Sequence, residues 1–407
     1  MAQSNFKVYR TRWFMLIIYM IMVAANQLLW ITFAPITGDA TRYYGVSDLS
    51  IGILSMCFMI VYVVVSIPAS WIIDKYGIRI GVGTGALFTG IFGLLRGFAG
   101  PDYQLLLIAQ IGIAVGQPFI LNSITKLSAR WFPIEERATA AGLGTLAMYI
   151  GILLGMTVTP YLIIGSGISG MLYIYGIFSA SVAIIFLLFI KEGPPTAPCL
   201  PEQEERSLVF DGFMSTIRTK DFKWLMIIFF IGLGVFNSVT TWIEDIMRPR
   251  GFSATQAGIT GGMMIVGGVI GALIIPMLSD KYKKRTPFII LALFGATLGL
   301  TGITFATTYW LMITSGMVLG FFLLSAGPVG FQYGAEITYP ASEGTSNGML
   351  LMMGQISGIA FIFGMDSMKS SQTGSMTQSL VILIVLMVLS ILMSFRLGES
   401  TILKPDK

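Results

Sequence analysis

The chain contains no histidine. That absence removes His-ligated haem, His metal sites and imidazole proton relays together. Cysteine is nearly absent too: Cys57 falls inside an apolar run and Cys199 in a polar linker, surroundings too different for a disulfide, and two thiols are too few for a cysteine metal site. No cofactor is therefore expected. Charge is scarce, at 11% of residues, and the net +5 gathers on no soluble basic surface, which excludes nucleic acid as a partner. No pattern of nucleophile, base and oxyanion donors marks an enzyme.

What the chain has is hydrocarbon. Of its 407 residues 55% are hydrophobic, and its mean hydropathy is +0.81. That is a multi-pass membrane protein with the lipid bilayer as its solvent. A bilayer core takes ~20 apolar residues per helix. Twelve runs of about that length stand at 13–36, 48–73, 80–99, 103–126, 138–164, 171–190, 224–246, 255–279, 287–307, 309–334, 346–367 and 378–397. The first is too long for a signal-peptide core and no small-residue cleavage site follows it, so it reads as a retained helix. With the N-terminus inside, most of the 25 basic residues fall in cytoplasmic segments, leaving only Arg42, Arg96, Arg248, Arg250 and Lys369 outside. The positive-inside rule thus places both termini in the cytoplasm. The lack of Asn-x-Ser/Thr sequons agrees with a prokaryotic plasma membrane.

The sequence also repeats itself. Trp131–Gly151 is echoed near the other end of the chain, Pro133 matching Pro340, Glu136 matching Glu343 and Gly151 matching Gly358 at one constant spacing. Asp74-Lys75-Tyr76 recurs as Asp280-Lys281-Tyr282. Two echoes indicate a duplicated chain. The expected fold is an all-α membrane protein of two pseudo-symmetric six-helix halves, 1–190 and 224–407. A cytoplasmic linker, 191–223, joins them; it holds Pro194, Pro195, Pro198 and Pro201, an acidic stretch at 202–205, and a mildly amphipathic surface segment at 208–217. In each copy of the longer echo Pro-x-x-Glu opens a helix, proline suiting the first helical position and the carboxylate the positive end of the dipole. Gly-x-x-x-Gly pairs, such as 81 with 85 and 267 with 271, predict close helix crossings.

Six plus six helices with Asp74-Lys75-x-Gly77-x-Arg79 between the second and third resemble the major facilitator superfamily, although the second copy has Lys283 where glycine would stand. The resemblance implies that Asp74 sits against the start of the eleventh helix and Asp280 against 131–139, closing the cytoplasmic side. Asp74, Arg79, Asp280, Arg137, Glu136 and Glu343 are the candidate gating residues. Asp74 and Asp280 could instead form plain loop ion pairs. Met156 stands where the superfamily's fifth-helix antiporter motif requires proline, which argues against an exchange-driven exporter.

Polar groups in hydrocarbon need a partner or a wet cavity. Near the middle of their runs stand Asn26, Gln27, Gln117, Asn122, Asn237 and Gln355. Any one of these amides could merely tie two helices together. As a group they lie on helices one, four, seven and eleven, which the superfamily resemblance implies line or border a central cavity. Trp30 is one turn from Asn26 and Gln27, and Phe33 continues that face; an indole beside neutral amides suits a cation through cation–π attraction. Trp242 is expected in the interfacial belt, and Arg96 is expected to snorkel from the outer end of helix three. Glu244 lies two turns past Asn237 and has two readings, a coupling or cation-attracting carboxylate and a salt bridge to Arg248, with Asp245 pointing elsewhere. With no acid at the true midplane, facilitated diffusion is the simpler mechanism.

A closer match lies in Ala335-Glu-Ile-Thr-Tyr-Pro-Ala-Ser-Glu-Gly-Thr-Ser-Asn-Gly348, with Tyr44-Gly-Val-Ser47, Leu54-Ser-Met-Cys57, Gln117-Pro-Phe-Ile-Leu121 and Trp131-Phe132. These are similar to the feline leukaemia virus subgroup C receptor-related (FLVCR) transporters. The resemblance implies a carrier of choline, ethanolamine or a related small organic cation. It maps a cage tryptophan to Trp30 and two glutamines to Gln117 and Gln355. Helix seven departs: Phe-Tyr-Ser-Val is expected and Phe236-Asn237-Ser238-Val239 is found, which suits a smaller or more polar amine, a pyridoxine-like vitamin or a neutral solute. A monomer with a small-molecule substrate is expected. A proton-coupled carrier of a vitamin, organic anion or drug-like solute using Glu244, or a non-transporting receptor or sensor, are the alternatives.

Overall fold

The computed structural model describes residues 8–196, 213–339 and 343–399, and of Ile134, Phe213 and Glu343 only the backbone. The linker residues 197–212, with Cys199 and the acidic stretch, and Pro340 of the second echo lie outside the described residues. Among the described residues the long elements are helices: α1 (Thr11–Ile31), a 3₁₀ turn (Ala34–Ile36), α2 (Thr37–Tyr44), α3 (Asp48–Gly97), α4 (Tyr103–Leu121), α5 (Ile124–Trp131) and α6 (Ile134–Phe189). After the linker come α7 (Phe213–Arg218), α8 (Lys220–Thr241), α9 (Ile243–Met247), α10 (Ala254–Tyr282), α11 (Thr286–Phe305), α12 (Tyr309–Thr338), α13 (Glu343–Ser367) and α14 (Thr377–Ser394).

Ten described helices are long and apolar enough to cross a membrane. Two of them, Asp48–Gly97 and Glu135–Phe189, run 50 and 55 residues, about twice the length one crossing takes. Each breaks at a glycine, Gly77 at φ 88° and Gly167 at φ 70°. Divided there, the helices give the twelve spans expected from the apolar runs. Gly77 adopts a backbone that L side chains rarely enter. A Cβ on it would collide with the carboxylate of Glu192, whose Oε2 accepts the Arg79 backbone N–H at 2.9 Å. Glu192 thus caps the second arm of α3, where free N–H groups and the dipole favour an anion. Lys283 at the corresponding turn of the second echo is itself left-handed, with φ 50°.

Local signals start the other helices. Asp102 opens α4 by accepting from Gln104 N at 2.9 Å and Leu105 N at 3.1 Å, and Ser253 and Gln256 form a capping box on α10. Pro133 stands at the cap of α6, one place before the first helical residue, with Glu135 and Glu136 in the first turn.

The chain divides into two compact units, Met1–Phe33, Asp39–Val46 and Ile53–Arg206 in one, and Ala34–Gly38, Ser47–Gly52 and Ser207–Lys407 in the other. In the first, Leu16, Tyr19 and Met22 of α1 bury against Val82 of α3, Leu127 of α5 and Phe186 of α6. The Tyr19 hydroxyl donates to the Ile120 carbonyl at 2.7 Å, the partner a buried phenol needs. In the second unit α10 crosses α12 at glycine: a Cβ on Gly320 would overlap the Met264 carbonyl, and one on Gly271 the Phe321 carbonyl. Only small residues permit that approach.

Candidate functional site

In the first unit α1 carries Asn26, Gln27 and Trp30, all buried. Their amides divide by whether a protein partner engages them. Asn26 donates to Thr89 Oγ1 at 3.1 Å and so ties α1 to α3. Asn122 does the same work at the end of α4, accepting from Tyr62 Oη at 2.7 Å and donating to Ser66 Oγ and Ser70 Oγ at 3.0 Å each. Gln27 has only a long contact, 3.4 Å to Asn26 Oδ1. Gln117 is buried, and its side chain makes no hydrogen bond among the described residues. Trp30 is fixed through its indole N–H, which donates to the Ser55 carbonyl on α3 at 3.1 Å.

In the second unit Asn237 of α8 donates to the Gly354 carbonyl of α13 at 3.1 Å, one residue before Gln355. Asn237 thus bonds the main chain of α13 at the residue next to Gln355. Gln355 is half-buried and makes no side-chain hydrogen bond among the described residues.

Beyond the end of α8 lies a charge cluster. Glu244 Oε2 accepts from the Gly38 backbone N–H at 3.0 Å and from Arg248 Nη1 at 3.1 Å. Arg248 Nη2 reaches Asp48 Oδ2 at 2.9 Å and Asp245 Oδ1 at 2.7 Å. Lys369 donates to the same Asp245 oxygen at 2.7 Å and also to Asp48. Burial pushes the Asp245 carboxyl up to about 6, with Lys369 and Arg248 pulling it down and Asp48 adding to the rise. Burial opposes the charge on Lys369, yet Asp245 and Asp48 outweigh it and hold its pKa above the ordinary lysine value. Glu244 is thus engaged by the salt bridge that was one of its two readings, and Asp245 shares its arginine rather than pointing elsewhere.

The candidate gating residues sit at helix ends and in the turns beside them. Glu136 forms a two-pronged pair with Arg12, at 2.9 and 3.0 Å. Arg137 donates to the carbonyls of Phe132 and Ala129 at 3.3 and 3.1 Å. Asp74 lies 3.6 Å from the Lys126 ammonium, and the Arg79 side chain is exposed. Asp280 pairs with Arg285, which also binds Glu336 at 2.9 Å in a pair buried on both sides. The side chain of Glu343 lies outside the described residues.

Two further expectations are corrected. Trp242 is not in the belt: it is 0% exposed, lies against Gly52, and donates to the Ile362 carbonyl at 3.0 Å. Its place at the break between α8 and α9 turns the indole inward. Arg96 does not snorkel. It is 0% exposed and donates to the Leu29 carbonyl and Gln110 Oε1 at 3.0 Å each. Sequence reasoning missed Gln110 altogether, although it lies about two turns before Gln117 on α4 and carried the same signal, an amide in an apolar run.

The profile of the Major Facilitator Superfamily matches residues 15–362, and the chain belongs to that superfamily. It is a multi-pass integral membrane transporter, a solute carrier and not an enzyme. Its relatives include solute carrier family 49 member A3 of Danio rerio, 29% identical over 386 residues, 91% of this chain and 81% of that one. The choline/ethanolamine transporter flvcr2b of Danio rerio is 28% identical over 375 residues, 87% and 77% of the two chains. Human choline/ethanolamine transporter FLVCR2 is 26% identical over 378 residues, 88% and 72%. The expected similarity to the FLVCR transporters is borne out. Among solved structures, an inward-facing bacterial homolog of the human lysosomal transporter Spinster matches at TM-score 0.77 and 16% identity, covering 96% of this chain and 97% of that one. A D-xylose–proton symporter matches at TM-score 0.74 and 16% identity, covering 98% and 100%. These two share the fold.

Proposed function

We propose that the protein carries a small organic cation of the choline or ethanolamine type by alternating access, as a monomer and by facilitated diffusion. The solute would meet Trp30, Gln117, Asn237 and Gln355, with Gln27 beside Trp30 and Asn26 behind Gln27. What supports this most is the division among the amides: Gln117 and Gln355 keep their hydrogen-bonding groups unengaged by the described protein, whereas Asn122 has both of its groups bonded. A buried amide left without a protein partner is costly unless a solute or water meets it. Choline has a hydroxyl for such an amide and a quaternary ammonium for the Trp30 face. The relatives named as choline/ethanolamine transporters add to this reading.

Asp74, Arg79, Glu136, Arg137, Asp280 and Glu343 would gate the cytoplasmic ends of halves 1–190 and 224–407, which the linker 191–223 joins. The distribution of basic residues supports cytoplasmic termini. The prokaryotic plasma membrane rests on the missing sequons, the relatives quoted above being animal proteins.

Uptake of radiolabelled choline into proteoliposomes tests the proposal. Saturable uptake is expected, and Trp30→Ala should abolish it; undiminished uptake in that variant would refute the site. A proton-coupled mechanism is the second reading, favoured by an Asp245 carboxyl that titrates at about 6 beside Glu244. An imposed pH gradient would then accumulate the solute, and Glu244→Gln would prevent it.

A further inference from the structure

Arg96 is a cation buried in the membrane part of the first unit, and no carboxylate pairs with it among the described residues. Its partners are neutral. The guanidinium donates to the Leu29 carbonyl at 3.0 Å, to Thr32 Oγ1 at 3.3 Å and to Gln110 Oε1 at 3.0 Å, and it lies 5.8 Å from the centre of the Phe33 ring. Leu29 stands in the last turn of α1, where carbonyls lose their helical donors and the dipole is negative. A positive group there stabilises the helix end without a counter-ion.

Gln110 completes the arrangement. Its carbonyl faces Arg96, and its amide nitrogen donates to two main-chain carbonyls, Leu29 at 3.2 Å and Leu54 at 3.1 Å. Leu29 precedes Trp30, and Leu54 precedes Ser55, the residue whose carbonyl accepts the Trp30 indole N–H at 3.1 Å. One amide thus bridges the two chain positions adjacent to each end of the indole's hydrogen bond. The bridge fixes the height of α1 against α3, and with it the direction of the indole.

We infer that Arg96 and Gln110 are positioning residues for Trp30, holding the aromatic face at the angle at which it meets the solute. The inference rests on the reading of Trp30 as a solute contact. It requires neither residue to touch the solute. Arg96 supplies charge at the helix end and orients the Gln110 amide; Gln110 sets the register.

Gln110→Glu separates these roles. The carboxylate retains Arg96 as a partner but cannot donate to the Leu29 and Leu54 carbonyls. Near-UV circular dichroism of the purified full chain, recorded with and without Trp30→Phe, isolates the band of this one indole. In Gln110→Glu that band should shrink markedly, and the KM for radiolabelled choline should rise about tenfold, the equivalent of one lost buried hydrogen bond, with the maximal rate little changed. Arg96→Lys keeps the charge and loses the fork, and should weaken the band less than Arg96→Met; it serves as the measurement if Gln110→Glu does not fold. A Trp30 band unchanged in folded Gln110→Glu, or in folded Arg96→Lys and Arg96→Met alike, overturns the positioning role. If the unmodified protein carries no choline, the solute reading of Trp30 fails, while the band still decides the positioning.

Discussion

Asp245 and Lys369 stand 2.7 Å apart, the carboxylate side chain fully buried and the ammonium side chain 14% exposed. The cation holds this cluster together, because among the described residues the cations paired with the buried acid are Lys369 and Arg248. Lys369→Met should therefore destabilise the protein at pH 7 by about 3 kcal/mol, the cost of leaving a buried charge short of a partner. Thermal unfolding in detergent would show a fall of several degrees. Adding Asp245→Asn to that variant should recover much of the loss, since it removes the stranded charge. A Lys369→Met protein as stable as the original would refute this account.

The same burial gives the cluster a pH dependence with a defined sign. The folded Asp245 carboxyl titrates at about 6, against ~3.9 for an unfolded aspartate. Between those values the folded protein binds a proton that the unfolded chain has released, so the stability from this group is greatest near pH ~4 and falls as the pH rises towards 6. Lys369 does not counter this trend. Its raised pKa contributes stability that is fully present below the ordinary lysine range and lost only above it. The stability of Asp245→Asn relative to the unmodified protein should thus improve by on the order of 2 kcal/mol from pH ~4 to ~6.5. Unfolding midpoints of the two proteins at matched pH would check it, and a relative change of opposite sign would contradict it.

Asn26 and Gln117 should respond to mutation in different ways. Asn26 is bonded to Thr89 across two helices, so Asn26→Leu should lower the unfolding temperature, by an amount matching ~1–2 kcal/mol. Gln117 has no described protein partner, so Gln117→Leu should leave the unfolding temperature nearly unchanged and raise the KM for choline. Equal effects of the two substitutions on stability would remove the distinction on which the site is drawn.

How much of this was legible beforehand follows from what hydropathy measures. Runs of apolar residues carry length and position, so all twelve spans could be read, and the echo of Asp74-Lys75-Tyr76 in Asp280-Lys281-Tyr282 marked the duplication. The direction in which a side chain leaves a membrane helix is not in that pattern, because all faces are apolar. Trp242 was expected at the interface and Arg96 at the surface for that reason, and both are buried through bonds to carbonyls of other helices. The candidate amides were visible as polar interruptions. Which of them the protein itself engages, as it does Asn26 and Asn122, depends on partners such as Thr89 and Ser70 that lie far away in sequence.

The echoed turns at Gly77 and Lys283 make a last, opposed pair of predictions. Gly77 and Lys283 both have positive φ, 88° and 50°, but only glycine enters that region without steric cost. Lys283 has an exposed side chain, so its charge contributes little to holding the turn. Lys283→Gly should relieve ~1–2 kcal/mol of left-handed strain, set against ~0.5–1 kcal/mol for the greater entropy of glycine in the unfolded chain. The net gain of roughly 0.5–1 kcal/mol should raise the unfolding temperature slightly. Gly77→Ala should lower it by more, since the added methyl meets both an unfavourable φ and the Glu192 carboxylate that caps the next helix. Differential scanning fluorimetry of the two single variants decides the matter: a stabilising Gly77→Ala, or a destabilising Lys283→Gly, would show that backbone strain does not govern these turns.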